Sequence, residues 1–304
     1  MNQKQKRREA ALNKELAVVE KQKKRMQQAA LKAKSAAWKK ELESRIPKKV
    51  YAGLESAFCK AFSVVFDQGR SIIEKGYNKE ELQADHAIRD FAVQLKGGRK
   101  ELKQMNRSAK QSDLVNMAVT TVEGIGLGAL GVGMPDIVLF LGNLLKGVYE
   151  TALSYGFDYN SRQEQLLILK MMQTALSNGE NWIQRNREVD EMLELEPVDI
   201  TEDEFKQQKK DTASTFAMDM LLLKFIQGLP VAGIIGGAAN PFYYKKVMKY
   251  VQLKYRERYL LKQLEHSTRS HAWDSFSKCK SIPQNMKKGA VAKCGFAKIP
   301  FSKN

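Results

Sequence analysis

Val50-Tyr-Ala-Gly-Leu-Glu-Ser-Ala-Phe-Cys-Lys-Ala-Phe-Ser-Val-Val-Phe66 decides the fold class. Val50, Leu54, Ala57, Phe58, Ala61, Phe62, Val65 and Phe66, with Ile72 and Ile73 beyond them, fall three and four residues apart. That spacing puts them on one face of a helix, and an aromatic stripe of this kind is core-forming. Cys59, beside Phe58, reads as a buried apolar filler. The rest of the chain carries helix punctuation. Asn78 with Glu81 predicts a start, with helix continuing to about Asn106. Ser161 with Glu164 and Thr201 with Glu204 have capping-box spacing, while Asn178-Gly179 and Gly228 read as stops. Asn240-Pro241 predicts another start, with Asn as cap and Pro first inside, for a helix through about Glu265. No run of alternating strands with turn pairs is present. The expected fold is all-α: a multi-helix bundle with two Gly-rich apolar helical segments and a long basic N-terminal helix.

The 304 residues, 43% of them apolar, are ample for a buried core, and three Cys exclude a disulfide-dense scaffold. The net charge of +17 is unevenly placed. Residues 1–49 carry 16 basic and 5 acidic groups, residues 262–304 carry 9 and 2, and the stretch between is nearly neutral. Basic ends favour polyanions, either an anionic lipid surface or a nucleic-acid backbone. In the first end Leu12, Leu16, Val19, Met26, Ala30, Ala33 and Ala37 form a shallow helical seam, interrupted by Lys23 and Lys40. Trp38 is its one aromatic, which gives base stacking little support. Pro47 is expected to end this arm. Lys4, Lys6, Arg7, Arg8, Lys21, Lys23, Lys24, Arg25, Lys287 and Lys288 are the candidate anionic-surface contacts. Met1–Lys49 has no apolar run of signal-peptide length.

Two segments are rich in glycine: Gly124-Ile-Gly-Leu-Gly-Ala-Leu-Gly-Val-Gly133 and Gly228-Leu-Pro-Val-Ala-Gly-Ile-Ile-Gly-Gly237. Gly126, Gly128 and Gly131 match G-x-G-x-x-G, but Pro135 obstructs the helix a dinucleotide site needs, and no βαβ units follow. The glycines suit close packing instead, as buried helical hairpins or as segments dipping into a membrane interface. Residues 124–145 are about long enough to span a bilayer, but Pro135-Asp136 in the middle suits a break better. Asp136 then caps a new helix running to about Ser154, with Gly156 ending it.

Catalytic signals are thin. The histidines are His86, His266 and His271, and no metalloprotease, nucleophile-elbow or phosphate-loop motif occurs. His86 reads as surface or satisfied core. Cys279 and Cys294 with His266 and His271 lack zinc-site spacing, so no metal and no cofactor is expected. If the chain is an enzyme, Asp136, Asp158 and Glu164 are its carboxylates. Asp136 and Asp158 bracket one helix at opposite ends, so the helix itself cannot pair them. Asp158 reads as a turn former before Ser161. Arg162 with Glu164, or Arg256 with Arg258, could bind anions, against a default of exposed helix charges.

The run Glu123–Asp136, then Tyr155-Gly-Phe-Asp158, then Leu229-Pro-Val231 with Gly236-Gly237 and Asn240, resembles the EcsC protein family. Ile46-Pro-Lys-Lys-Val-Tyr51 and Tyr255-Arg-Glu-Arg-Tyr-Leu260 are similar to it as well. The matching positions include Gly124, Gly126, Gly128, Gly131, Gly133, Pro135, Asp136, Tyr155, Gly156, Asp158, Pro230, Gly236, Gly237, Asn240 and Arg258. The family takes its name from a gene beside an ABC-transporter ATPase and permease, and its members are bacterial and largely of unknown activity. The resemblance implies a cytoplasmic, peripherally membrane-associated helical protein, with ABC-transporter subunits as candidate partners and no catalytic residue to carry over. The expected division is a basic helical arm at 1–45, an EcsC-like helical domain at 46–262 and a basic, poorly ordered tail at 263–304. The expected function is a membrane-associated accessory or scaffold binding anionic lipid or a transporter. The competing classes are a hydrolase or lipid-modifying enzyme using the signature carboxylates, and non-specific nucleic-acid binding through the arms.

Overall fold

A computed structural model describes residues 3–34, 46–118, 135–194, 198–226 and 239–280. Those residues form an all-α bundle of ten helices, with no strand among them. The helices are α1 (Gln3–Lys34), α2 (Lys48–Ser63), α3 (Arg70–Glu74), α4 (Lys79–Lys96), α5 (Arg99–Ala118), α6 (Pro135–Ser154), α7 (Arg162–Leu176), α8 (Gly179–Glu194), α9 (Glu202–Ile226) and α10 (Ala239–Lys280).

The Phe58 stripe behaves as its spacing requires. Leu54, Phe58, Ala61 and Phe62 are buried on α2, where Phe58 and Phe62 meet Phe216 of α9 at ring separations of 5.5 and 5.8 Å. Beyond Ser63 the periodicity survives but the α-helix does not. Val64–Gln68 form a π turn closed by Gly69 N–H donating to the Val64 carbonyl at 2.7 Å, and α3 restarts after it. Asn78 caps α4, its side chain accepting from the Glu81 N–H at 3.1 Å. That helix stops at Gly97, φ 59°, well short of Asn106, because Gly97 takes the left-handed conformation and α5 begins at Arg99. Thr201 and Glu204 make the full capping box, each side chain bonding the other's backbone N–H at 2.8 and 3.2 Å. Pro47 opens α2 as its N-cap; where the arm's helix ends, expected at Pro47, falls outside the described residues after Lys34.

Helix α6 is the centre of the bundle, packed against α2, α3, α4, α5 and α10. Its Ile137, Leu141, Leu144, Leu145, Val148 and Tyr149 are fully buried. Burial of each such side chain contributes about 1.5–3 kcal/mol, which explains why the most apolar helix lies inside. Asp136–Ser154 is the one described segment long and apolar enough to cross a membrane, and 83% of it is buried in the bundle. The glycine segments themselves, 124–134 and 228–237, lie outside the described residues. A close helix approach occurs instead at Gly147, where a Cβ would collide with the Tyr244 hydroxyl of α10.

The N-terminal helix is docked rather than free. Helix α1 packs on α5, α8 and α10 and buries Ala11, Leu12, Val19 and Ala30. The shallow Leu/Ala seam is deep enough here because it lies in a groove of three helices instead of against one partner. At the other end, α10 continues past residue 265 to Lys280.

Candidate functional site

The most densely connected polar region surrounds α10 between Lys254 and Tyr259. Successive residues in a helix point about 100° apart, so six in a row face every direction around it. Together they find partners on four neighbouring helices. Lys254, with a fully buried side chain, pairs with Asp190 of α8 and, at 3.0 Å, with Glu257 one turn on. Glu257 accepts from Lys23 of α1 at 2.7 Å, and Lys23 also lies 3.5 Å from Asp190. Arg256 pairs with the buried Glu15 of α1, which Arg99 of α5 bonds from the other side. Tyr255 donates to Glu164 of α7 at 2.8 Å. Arg258 meets both oxygens of the same carboxylate at 3.0 and 2.7 Å, its guanidinium 4.3 Å from the Phe157 ring. Tyr259 donates to Asp90 of α4 at 2.8 Å, and Gln263 links Asp90 to Arg8.

The electrostatics follow from this pairing. Burial opposes the charge on Lys23, but Glu257, Asp190 and Glu20 outweigh it and raise its pKa. Burial would lift Glu257 too, yet Lys254 and Lys23 hold its carboxyl below the ordinary value. Tyr255 and Tyr259 are pushed up by burial and by the carboxylates they bond, so both remain phenols at neutral pH. Buried ion pairs of this quality contribute register more dependably than net stability, while removing one partner is costly. The arrangement therefore clasps α1, α4, α7 and α8 onto α10.

The signature residues distribute around this clasp. Tyr155 donates to Asn106 of α5 at 3.1 Å. Gly156 has φ 77° and ends α6, and a Cβ there would strike the His86 ring. His86 packs half-buried with Nδ1 3.1 Å from the Ser154 carbonyl; burial lowers its pKa, so the ring is neutral and Nδ1 donates. Glu164 keeps the backbone half of its capping box, its N–H donating to Ser161 Oγ at 3.1 Å, but the carboxylate turns away to Arg258 and Tyr255. Asp158 accepts from the Asn160 N–H at 3.2 Å, the turn role expected of it. Asp136 is exposed in the first turn of α6 as its second residue, inside the helix rather than capping it, where its charge complements the helix dipole. Asp136 and Asp158 stay at opposite ends of α6, and the Glu164 carboxylate is taken up by Arg258 and Tyr255 in the clasp.

Among the surface candidates, Lys4, Lys6, Arg7, Lys21, Lys24 and Arg25 are exposed, whereas Lys23 and Arg8 turn into the protein. Lys287, Lys288, Gly124–Gly133, Pro230, Gly236 and Gly237 lie outside the described residues. Pro135 and Asn240 stand at the starts of α6 and α10. Among the described residues no cluster of His, Cys, Asp and Glu is arranged to hold a metal ion. The clasp charges missed in the sequence include Glu15, Asp90, Arg99, Asp190 and Lys254. Their signal is weak: charged residues standing at core-facing positions of otherwise apolar seams.

A helical bundle clasped by buried ion pairs through Lys254–Tyr259, with a Gly-ended central helix before Phe157-Asp158, defines the class of protein. Residues 10–260 match the EcsC protein family, and the chain belongs to that family. It is also similar to Protein EcsC of Bacillus subtilis (strain 168), 30% identical over 152 residues. That match covers 46% of this chain and 57% of the relative, so it spans a little over half of the relative's length. The family match begins at residue 10, so most of α1 lies inside it, as its burial against α10 requires. No solved structure matches the chain.

Proposed function

We propose that this chain is a membrane-associated accessory or scaffold protein that binds anionic lipid at the cytoplasmic face through the outer side of α1. The observation that supports this reading is a basic stripe. Lys4, Arg7, Lys14, Lys21, Arg25 and Lys32 are all exposed and recur at spacings of 3, 7, 7, 4 and 7. At about 100° per residue they fall within an arc of roughly 100° on the side of α1 away from Leu12 and Val19, and span roughly 42 Å. Glu20, the exposed acid of this helix, lies roughly 120° around from it. A cation near an anionic membrane contributes about 1 kcal/mol, and a straight row can engage the surface together.

Helix α4 supports the same surface. Ile88, Phe91 and Leu95 are 68%, 64% and 52% exposed on its solvent face, with Lys96 and Lys100 just beyond. Exposed apolar residues beside basic ones suit the boundary between headgroups and acyl chains. The Arg8 side chain lies against Gly97, which brings the start of α1 to the end of α4. The test is fractionation of the native protein from its host. The reading expects sedimentation with membranes and release by high salt. Recovery wholly in the soluble fraction, retention through salt and carbonate, or release by nuclease would each contradict it.

A further inference from the structure

A cleft of about 480 Å³ opens between α1, α5, α8 and α10, touching the clasp at Arg256. Its charged lining is entirely basic: Arg25, Lys110, Lys246, Lys249 and Arg256, with no Asp or Glu among the described lining residues. Two of these are neutralised, Arg256 by Glu15 and Lys246 by Asp219 at 3.4 Å. Arg25, Lys110 and Lys249 are exposed at the rim and have no ion-pair partner among the described residues. The floor is different in character. Trp182, Tyr250 and Leu253 are 4%, 2% and 3% exposed, and Met26 packs beside them. Trp182 stands edge-on to Tyr250 at 6.2 Å, so an apolar wall lies under a ring of uncompensated cations.

That combination has a specific chemical complement. Three cations from three helices at one rim complement the charge of a phosphate group, about −1.5 to −2, whose oxygens accept from Arg and Lys together. An inorganic ion would leave the apolar floor uncovered, and a neutral apolar ligand would leave the cations unused. The volume is within the range of small-molecule sites. We propose that this cleft binds a phosphate monoester carrying an apolar portion, a phosphatidate-like amphiphile, with Arg25, Lys110 and Lys249 on the phosphate and Trp182, Leu253 and Met26 against the apolar part. The site shares Arg25 with the α1 stripe but does not need a membrane, since a soluble ligand can fill it.

Trp182 supplies the readout. In a chain carrying Trp38→Phe and Trp273→Phe, Trp182 is the sole tryptophan. Its emission is followed during titration with dihexanoyl phosphatidate below its micelle concentration, with dihexanoyl phosphatidylcholine, and with inorganic phosphate. The cleft predicts saturable binding of phosphatidate, at least about tenfold tighter than either comparison ligand, because only phosphatidate uses both the cations and the floor. Lys110→Glu with Lys249→Glu, both at exposed positions, weakens that binding about tenfold or more while circular dichroism and melting stay unchanged. Equal affinity for inorganic phosphate, equal affinity for phosphatidylcholine, binding unaffected by the double variant, or no saturable signal would each overturn the proposal.

Discussion

Replacing Glu164 by Gln tests the difference between a structural and a catalytic carboxylate. The side chain is 6% exposed, and it accepts two bonds from Arg258 and one from Tyr255. Gln keeps the shape, the backbone bond to Ser161 and an oxygen for Tyr255. It removes the charge that holds Arg258, whose side chain is only 23% exposed and lies over Phe157. Breaking a fully buried pair costs 3–5 kcal/mol, and the partial exposure of Arg258 lowers this to about 2–3 kcal/mol. At about 2.1 cal/mol/K per residue, unfolding entropy for a 304-residue chain is roughly 0.6 kcal/mol/K, so the melting point should fall by about 3–5 °C. Urea denaturation of Glu164→Gln, Arg258→Met and the double variant completes the cycle. The double variant should recover part of the loss, because no unpaired ion remains. A variant that melts like the wild type, yet fails in its cellular role, would refute the structural assignment and restore Glu164 as a chemical group.

Three further outcomes follow from particular contacts. Gly156→Ala should destabilise by more than about 1 kcal/mol in urea melts, since it adds backbone strain at φ 77° to a collision with His86. Lys254→Met leaves Asp190 and Glu257 without their shared cation and should cost about 3–5 kcal/mol, measured in the same way. Stability measured against pH should fall in two stages on acidification. His86 has a lowered pKa, so its contribution is complete above about 6.5 and lost as pH falls through the folded value; Glu257, also lowered, contributes above about 4.5 and is lost below it. His86→Gln should remove the first stage alone.

The fold was legible because its signals are local. The Phe58 stripe, the Asn78 cap and the Thr201–Glu204 box each act within one or two turns, and the structure contains them. The π turn at Val64–Gln68 and the stop at Gly97 were not legible, because apolar periodicity runs through the first and only backbone conformation marks the second. Long-range pairing was hidden for a different reason. Glu15 and Arg256 are 241 residues apart, and spacing within either helix cannot reveal that they meet. The same limit kept α1 a basic helical arm in the sequence, apart from the helical domain: its charges are visible there, while the groove that receives Leu12 and Val19 exists only after α5, α8 and α10 assemble.

Deleting α1 would uncover this groove and strip Arg256 and Arg99 of Glu15, so truncation confounds folding with binding. Charge reversal on the exposed stripe avoids this. Arg7→Glu, Lys14→Glu and Lys21→Glu together leave the buried face of α1 unchanged. Flotation of the purified full chain with phosphatidylglycerol vesicles, across a salt series, is the direct measurement. The account predicts strong binding of the wild type at low salt, weakening as the screening length shortens to about 8–10 Å, and little binding of the triple variant at any salt. Equal flotation of the two proteins, or equal wild-type binding to phosphatidylcholine vesicles, would contradict it.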